Sequence, residues 1–186
     1  MRPVLVFDVL GTLLDTGSLD PARLDRLVRL AMTATILEEF RPFEELAVEA
    51  LGVTAPERLR ELPAHADVSD ALERLAGAGY AMHALTNGSR DATRAALANA
   101  GIAQYFRDVH SAQACETYKP DVRVYRTTLV RIDVEPDDAV MISAHDWDVA
   151  GARRHGMRTR WITRPDHGLG KVADELIFFP VTSGAV

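Results

Sequence analysis

An aspartate at position 8 closes the apolar run PVLVFD, and in the stretch FDVLGTLLD the residue two places further on is Leu10 rather than a second acid. A carboxylate at such a strand end can act as a nucleophile, whereas leucine can neither give nor take a proton. Any chemistry at Asp8 must therefore do without a proton donor at that position. Other reactive side chains stand at comparable places. Thr86 and Asn87 end YAMHALT, Lys119 precedes a helical segment in YKPDVRVY, and Ser143, His145 and Asp148 follow DAVMISA. Each taken singly also has a structural reading, because carboxylates and hydroxyls cap turns and helices and a lysine is commonly a surface charge.

The elements that carry these residues alternate. Short runs rich in β-branched residues fall at 3–8, 80–86, 108–112, 138–144 and 157–163. Segments of helical period lie between them at 68–79, 89–101, 121–132 and 147–156. Strands that alternate with helices predict an α/β fold, a parallel sheet with helices on both faces. Ser89 is placed to begin a helix, Gly79 and Gly101 to end one, and Pro120 to sit in a first turn. The alternation is interrupted after the first strand, where residues 18–62 read as two or three helices. This divides the chain into an α/β core of residues 1–17 and 63–186 and a small all-helical insert that should lie over the carboxyl ends of the strands, where such sheets bind ligands. A last strand is expected near Leu176–Phe179, followed by a frayed tail.

The chain has 186 residues, enough for one substantial core and a small accessory lobe. Its composition, 47% hydrophobic and 26% charged, is that of a folded globular protein, and a net charge of −6 argues against a general nucleic-acid binder. The cluster Arg153, Arg154, Arg158, Arg160 and Arg164 reads as a solvated helix face and strand edge. The single cysteine, Cys115, excludes an internal disulfide and has no activating neighbour in sequence. No apolar run approaches membrane-spanning length and the start shows no basic leader, so the expected location is cytoplasmic, without membrane partners.

The four strand-end motifs, in this order, resemble those of the haloacid dehalogenase superfamily: Asp8 in FDVLGTLLD, Thr86 in LTNGS, Lys119 in YKPDVRVY and Asp148 in ISAHDWDVAGARRHGM. The resemblance covers roughly residues 3–17 and 67–165 and implies a Rossmann-like core with a nucleophilic aspartate. Phosphatase members of that superfamily carry a second aspartate where Leu10 stands, and an acid of their Mg²⁺ site where Ala144 stands. Mg²⁺ prefers a near-octahedral shell of hard oxygens. The resemblance therefore implies no cofactor here, with weak Mg²⁺ binding through Asp8 and Asp148 as the fallback and Asp146 as a substitute ligand.

Asn87-Gly88-Ser89, Tyr125 six residues after Lys119, Ser143, and Trp147-Asp148 before Gly151-Ala152-Arg153 resemble the 2-haloacid dehalogenase branch more closely. The implied reaction is attack of Asp8 on C2 of a short 2-halo acid, then hydrolysis of the aspartyl ester. Lys119 would hold Asp8 ionised. Thr86 and Asn87 would bind the substrate carboxylate or the departing anion, and Asp148 with His145 would assist the water. Leu10, Thr12 and Tyr125 are expected around the substrate. Dehalogenases receive halide on an arginine of the inserted helices. Here Glu39 falls at the aligned position and Arg41 is the nearest replacement. The insert is short, so either the pocket is more open or a partner subunit completes it, which makes a homodimer an expectation. Its apolar residues, Leu24, Leu27, Leu30, Ile36, Leu37 and Phe40, read as its own core, and Trp147 and Trp161 as packing residues. A Mg²⁺-dependent phosphatase and a catalytically silent interaction module are the competing readings.

Overall fold

The computed structural model describes residues 2–164 and 166–178. Five strands form one fully parallel sheet: β1 (Val4–Phe7), β2 (Met82–Thr86), β3 (Asp108–Ser111), β4 (Ala139–Ser143) and β5 (Arg158–Trp161), in the order β3-β2-β1-β4-β5. Successive side chains of a strand point to opposite faces. Leu5, Phe7, Met82, Ala84, Val140 and Ile142 accordingly enter one apolar cluster, and Val6, Leu85, Ala139 and Met141 the other. The first cluster is closed by helices α4 (Val68–Gly77), α5 (Arg90–Asn99) and α8 (Leu169–Phe178). The second is closed by α6 (Val122–Ile132) and α7 (Asp146–Arg154), together with helices from the insert. The expected strands and the four expected helices fall where their patterns put them. Ser89 begins α5 by accepting a hydrogen bond from the Ala92 N–H at 3.4 Å. Pro120 lies just ahead of α6, whose first turn is instead held by Asp121.

Three helices, α1 (Pro21–Leu37), α2 (Phe43–Leu51) and α3 (Ala55–Arg60), occupy the segment between β1 and α4. Asp20 starts α1 by accepting from the Arg23 N–H, with Pro21 in the first helical position. Leu27 and Ala31 of α1 and Phe43, Leu46 and Ala47 of α2 join the second apolar cluster of the sheet rather than forming a core of their own. Phe40 and Phe43 both pack on the buried Tyr118 ring. Ile36 and Leu37, expected in the interior of the insert, are exposed at the end of α1.

The last strand expected near Leu176–Phe179 is not a strand as far as Phe178; that segment ends α8, and Phe179 with the tail beyond it lies outside the described residues. The buried side chains Leu169, Val172, Ala173 and Leu176 recur at helical spacing. The dense run Leu176-Ile177-Phe178 hid that period behind a strand-like string of large apolar residues.

Candidate active site

The sheet order reverses direction at β1, which pairs with β2 on one side and β4 on the other. In open α/β sheets the crevice beyond the carboxyl ends at such a point binds ligands. Asp8 extends the β1 pairing by one residue, its N–H donating to Ile142 O at 3.0 Å, so its carboxylate emerges between the ends of β2 and β4. The chain then turns through Gly11, whose φ of +77° is easily adopted by glycine. This turn brings Thr12 back beneath Asp8. The Thr12 hydroxyl donates to Asp8 Oδ2 at 2.5 Å and accepts from the Ala144 N–H at 2.9 Å.

Lys119 lies ahead of α6, and its backbone N–H donates to Asn87 Oδ1 at 2.8 Å. Its ammonium donates to Asp8 Oδ1 and to Asp148 Oδ2, both at 2.7 Å, and to Leu85 O at 3.2 Å. All three of its protons are thereby used. Asp148 stands in the first turn of α7, and its other oxygen accepts from the Tyr125 hydroxyl at 2.7 Å. Gly151 makes that contact possible: a β-carbon there would meet Pro120 Cβ at 2.6 Å and the Tyr125 hydroxyl at 2.7 Å.

Asp8 is 5% exposed, Lys119 1% and Asp148 0%, so the three charges form a buried string. Burial works to raise the Asp8 pKa, but Lys119, His145 and the hydrogen bonds from Lys119 and Thr12 outweigh it and hold the group below its ordinary value. Asp148 moves the other way, raised by burial and by the Asp8 charge against the pull of Lys119. Burial disfavours the Lys119 ammonium, yet the two carboxylates more than restore it and its pKa is raised. Burial, with Asp148 beside it, pushes the Tyr125 phenol far up, which leaves it a neutral donor. Of the two acids, Asp8 is the one whose ionised form its surroundings favour beyond the ordinary.

A cleft of about 600 Å³ opens above Asp8. Leu10, Thr86, Asn87 and His145 line it, as expected from the sequence. Several expected roles do not fit the geometry. Thr12, Ser143, Tyr125 and Asp148 are buried and do not line the cleft. Thr12 and Tyr125 donate to Asp8 and Asp148, and the Ser143 hydroxyl accepts from the His145 N–H at 3.1 Å. Both oxygens of Asp148 are engaged, one by Lys119 and the other by Tyr125. Arg41 is also absent from the lining: its guanidinium pairs with Glu49 at 2.9 Å and Glu45 at 3.8 Å. Trp147 and Trp161, expected to be packing residues, both face the cleft.

Arg29 is the cation that the sequence reading missed. It lies on α1, lines the cleft, is exposed, and makes no ion pair or hydrogen bond among the described residues. Its signal was its place on the helix: Asp25, Arg29 and Met32 lie three or four residues apart and share one face. His145 Nε2 lies 2.8 Å from Leu10 O and 3.5 Å from Asp8 Oδ2. A carbonyl can only accept, so Nε2 carries a proton. The ring stacks on Trp147 with centroids 5.0 Å apart.

These residues do not fit a Mg²⁺ shell. Between Asp8 and Asp148, where two carboxylates would have to face one cation, the Lys119 ammonium bridges them. Asp146 is exposed at the cleft, and its Oδ1 accepts from the Trp147 N–H at 2.7 Å. Among the described residues no group of three or more His, Cys, Asp or Glu is arranged to hold a metal, and no helix is long and apolar enough to cross a membrane.

The site combines a carboxylate at the switch point of a parallel sheet with a buried lysine that fixes it. The chain belongs to the haloacid dehalogenase-like hydrolase family, whose model matches residues 14–162, and it is an enzyme of that type. It is 30% identical over 189 aligned residues to (S)-2-haloacid dehalogenase 4A of Burkholderia cepacia, covering 86% of this chain and 82% of the relative. A phosphoserine phosphatase of Thermus thermophilus is 35% identical over 136 residues, covering 67% of this chain and 54% of that protein. The L-2-haloacid dehalogenase from Xanthobacter autotrophicus superposes with a TM-score of 0.82 at 22% identity, over 98% of this chain and 85% of that one, and so shares the fold.

Proposed function

We propose that the protein is a metal-independent 2-haloacid dehalogenase in which Asp8 is the nucleophile. The observation that carries this reading is the Asp8 carboxylate itself: held ionised by Lys119 at 2.7 Å at the base of an open cleft, with Leu10 where a proton donor would otherwise stand. One Asp8 oxygen bonds to C2 of the substrate as the C2–halogen bond breaks, and the halogen leaves with the bonding pair as halide. No proton is needed at that step. Arg29 replaces Arg41 as the cation that receives halide or the substrate carboxylate, and Thr86 and Asn87 complete the binding edge.

Water then attacks the carbonyl carbon of the aspartyl ester. The acyl–oxygen bond breaks, the 2-hydroxy acid departs, and Asp8 is regenerated with release of one proton. His145 is the base we assign to this step, through Nδ1, since Nε2 donates to Leu10 O. Lys119, Thr12, Tyr125 and Asp148 are positioning residues. Helices α1–α3 act as a reduced cap over the site.

The test is bromide release from racemic 2-bromopropionate in EDTA, with the intact chain weighed after rapid quench. The expected result is turnover with a transient adduct, and loss of turnover by more than about a thousandfold in Asp8→Asn. Turnover of p-nitrophenyl phosphate that requires Mg²⁺, with no bromide release, would replace this reading with the phosphatase one.

A further inference from the structure

We infer that the substrate carries a bulky apolar group, an aryl or branched alkyl substituent, seated between α1 and the two tryptophans of the cleft. This rests on the dehalogenase reading and deepens it. A three-carbon 2-halo acid fills on the order of 120 Å³, about four waters at ~30 Å³ each. The cleft encloses about 600 Å³, within the range of pockets that take ligands many times larger than such an acid. A short acid would leave most of it wet.

The walls say what fills the remainder. From α1 the lining takes Leu24, Val28 and Met32, and from α7 and β5 it takes Trp147 and Trp161. Trp161 is 49% exposed at the end of β5, and its indole N–H donates to Ala144 O at 3.3 Å. The polar need of that ring is met within the protein, and its remaining open surface is apolar. Such a ring left against water is uncovered apolar area that a ligand can bury at about 25 cal/mol per Å². The charged groups lining the cleft are Asp8, Asp25, Asp146 and Arg29, with His145. The arginine holds the substrate carboxylate, so its uncharged end is directed to the tryptophan wall. The alternative seat is too small: the hollow between α2, α3 and α5, which shares Leu10, Phe43 and Thr86 with the cleft, holds about 40 Å³, roughly a methyl or ethyl group.

Both tryptophans of the chain line this one cleft, so intrinsic fluorescence reports its occupancy without any reaction. The experiment titrates the full chain with 3-phenylpropionate and with propionate, and in parallel compares bromide release from 2-bromo-3-phenylpropionate and 2-bromopropionate. We expect the phenyl acid to bind at least tenfold more tightly and its bromo derivative to have at least tenfold higher kcat/KM. Trp161→Ala, or Met32→Ala on the opposite wall if the first variant folds poorly, should bring both ratios close to one. Equal affinities for the two acids, or ratios that survive both substitutions, would overturn the inference even if bromide is released from both substrates. Tight binding of the phenyl acid without bromide release from either substrate would instead uphold the apolar seat and remove the displacement chemistry.

Discussion

The floor of the cleft and its α1 wall differ in how their polar groups are satisfied. In the floor, Asp8, Thr12, Lys119, Tyr125 and Asp148 are all buried, and each bonds to at least one of the others. In the wall, Asp25 and Arg29 are exposed, with no ion pair or hydrogen bond between the Arg29 guanidinium and any described residue. The floor is over-determined: a change at any member reaches the Asp8 carboxylate through shared hydrogen bonds, so effects there should not add. The wall is independent, and a change there leaves the Asp8 carboxylate where it is. On the proposed reading, chemistry and selectivity fall on surfaces with different tolerance to substitution.

The contrast is tested most severely at Lys119. Lys119→Met leaves two buried carboxylates facing one another, and should destabilise the protein by about 3–5 kcal/mol in urea unfolding and lower halide release about a thousandfold. Its pH behaviour carries the same signature. Because the folded pKa of Asp8 lies below 3.8, the stabilisation it contributes is present above that value and is lost as pH falls through the folded pKa. Because that of Lys119 lies above 10.5, its contribution is present below 10.5 and is lost as pH rises through the folded value. Wild-type activity limited by Asp8 ionisation should therefore be level down to about pH 4, and Lys119→Met should move that acid limb upward in pH.

Arg29→Met probes the wall. It should raise KM for 2-bromopropionate about tenfold, the scale of one charge-assisted hydrogen bond, with kcat and the melting temperature little changed. A fall in kcat equal to the rise in KM would show that floor and wall are not separate. Tyr125→Phe returns to the floor with a milder change. Loss of the 2.7 Å bond to Asp148 should cost about 1.5–3 kcal/mol of stability and less than tenfold in kcat. The smallest effect is expected for Arg41→Ala. Its partners Glu45 and Glu49 are solvent-exposed pairs worth about 0–1 kcal/mol, and KM should change less than twofold.

The dependence on context also explains which residues could be read from the chain. Asp8, Thr86 and Asn87 were legible because each stands at or just past the end of a strand in a parallel sheet and such ends meet along one edge, and Lys119 because it stands in the connection that leads from that edge into α6. The roles of Thr12, Tyr125 and Asp148 were not, because binding substrate and holding a neighbouring carboxylate call for the same side-chain types. Arg41 was the nearest arginine to the aligned position, yet it lies in the connection between α1 and α2 and its guanidinium turns to Glu45 and Glu49. In sequence Trp147 and Trp161 read as packing residues because large aromatic residues usually pack, and the open space beside them shows otherwise.

The order of strands and helices, the parallel sheet and the grouping of reactive residues at its carboxyl edge follow from hydrophobic period and local chain chemistry, which act over a few residues at a time. Burial of the ammonium between two carboxylates, the placement of Arg29 at the cleft and the exposure of the tryptophan wall depend on groups as distant in sequence as Asp8 and Asp148. Folding alone brings those groups together, and it is their mutual desolvation and separation that set which carries charge, which donates and which remains available to a ligand.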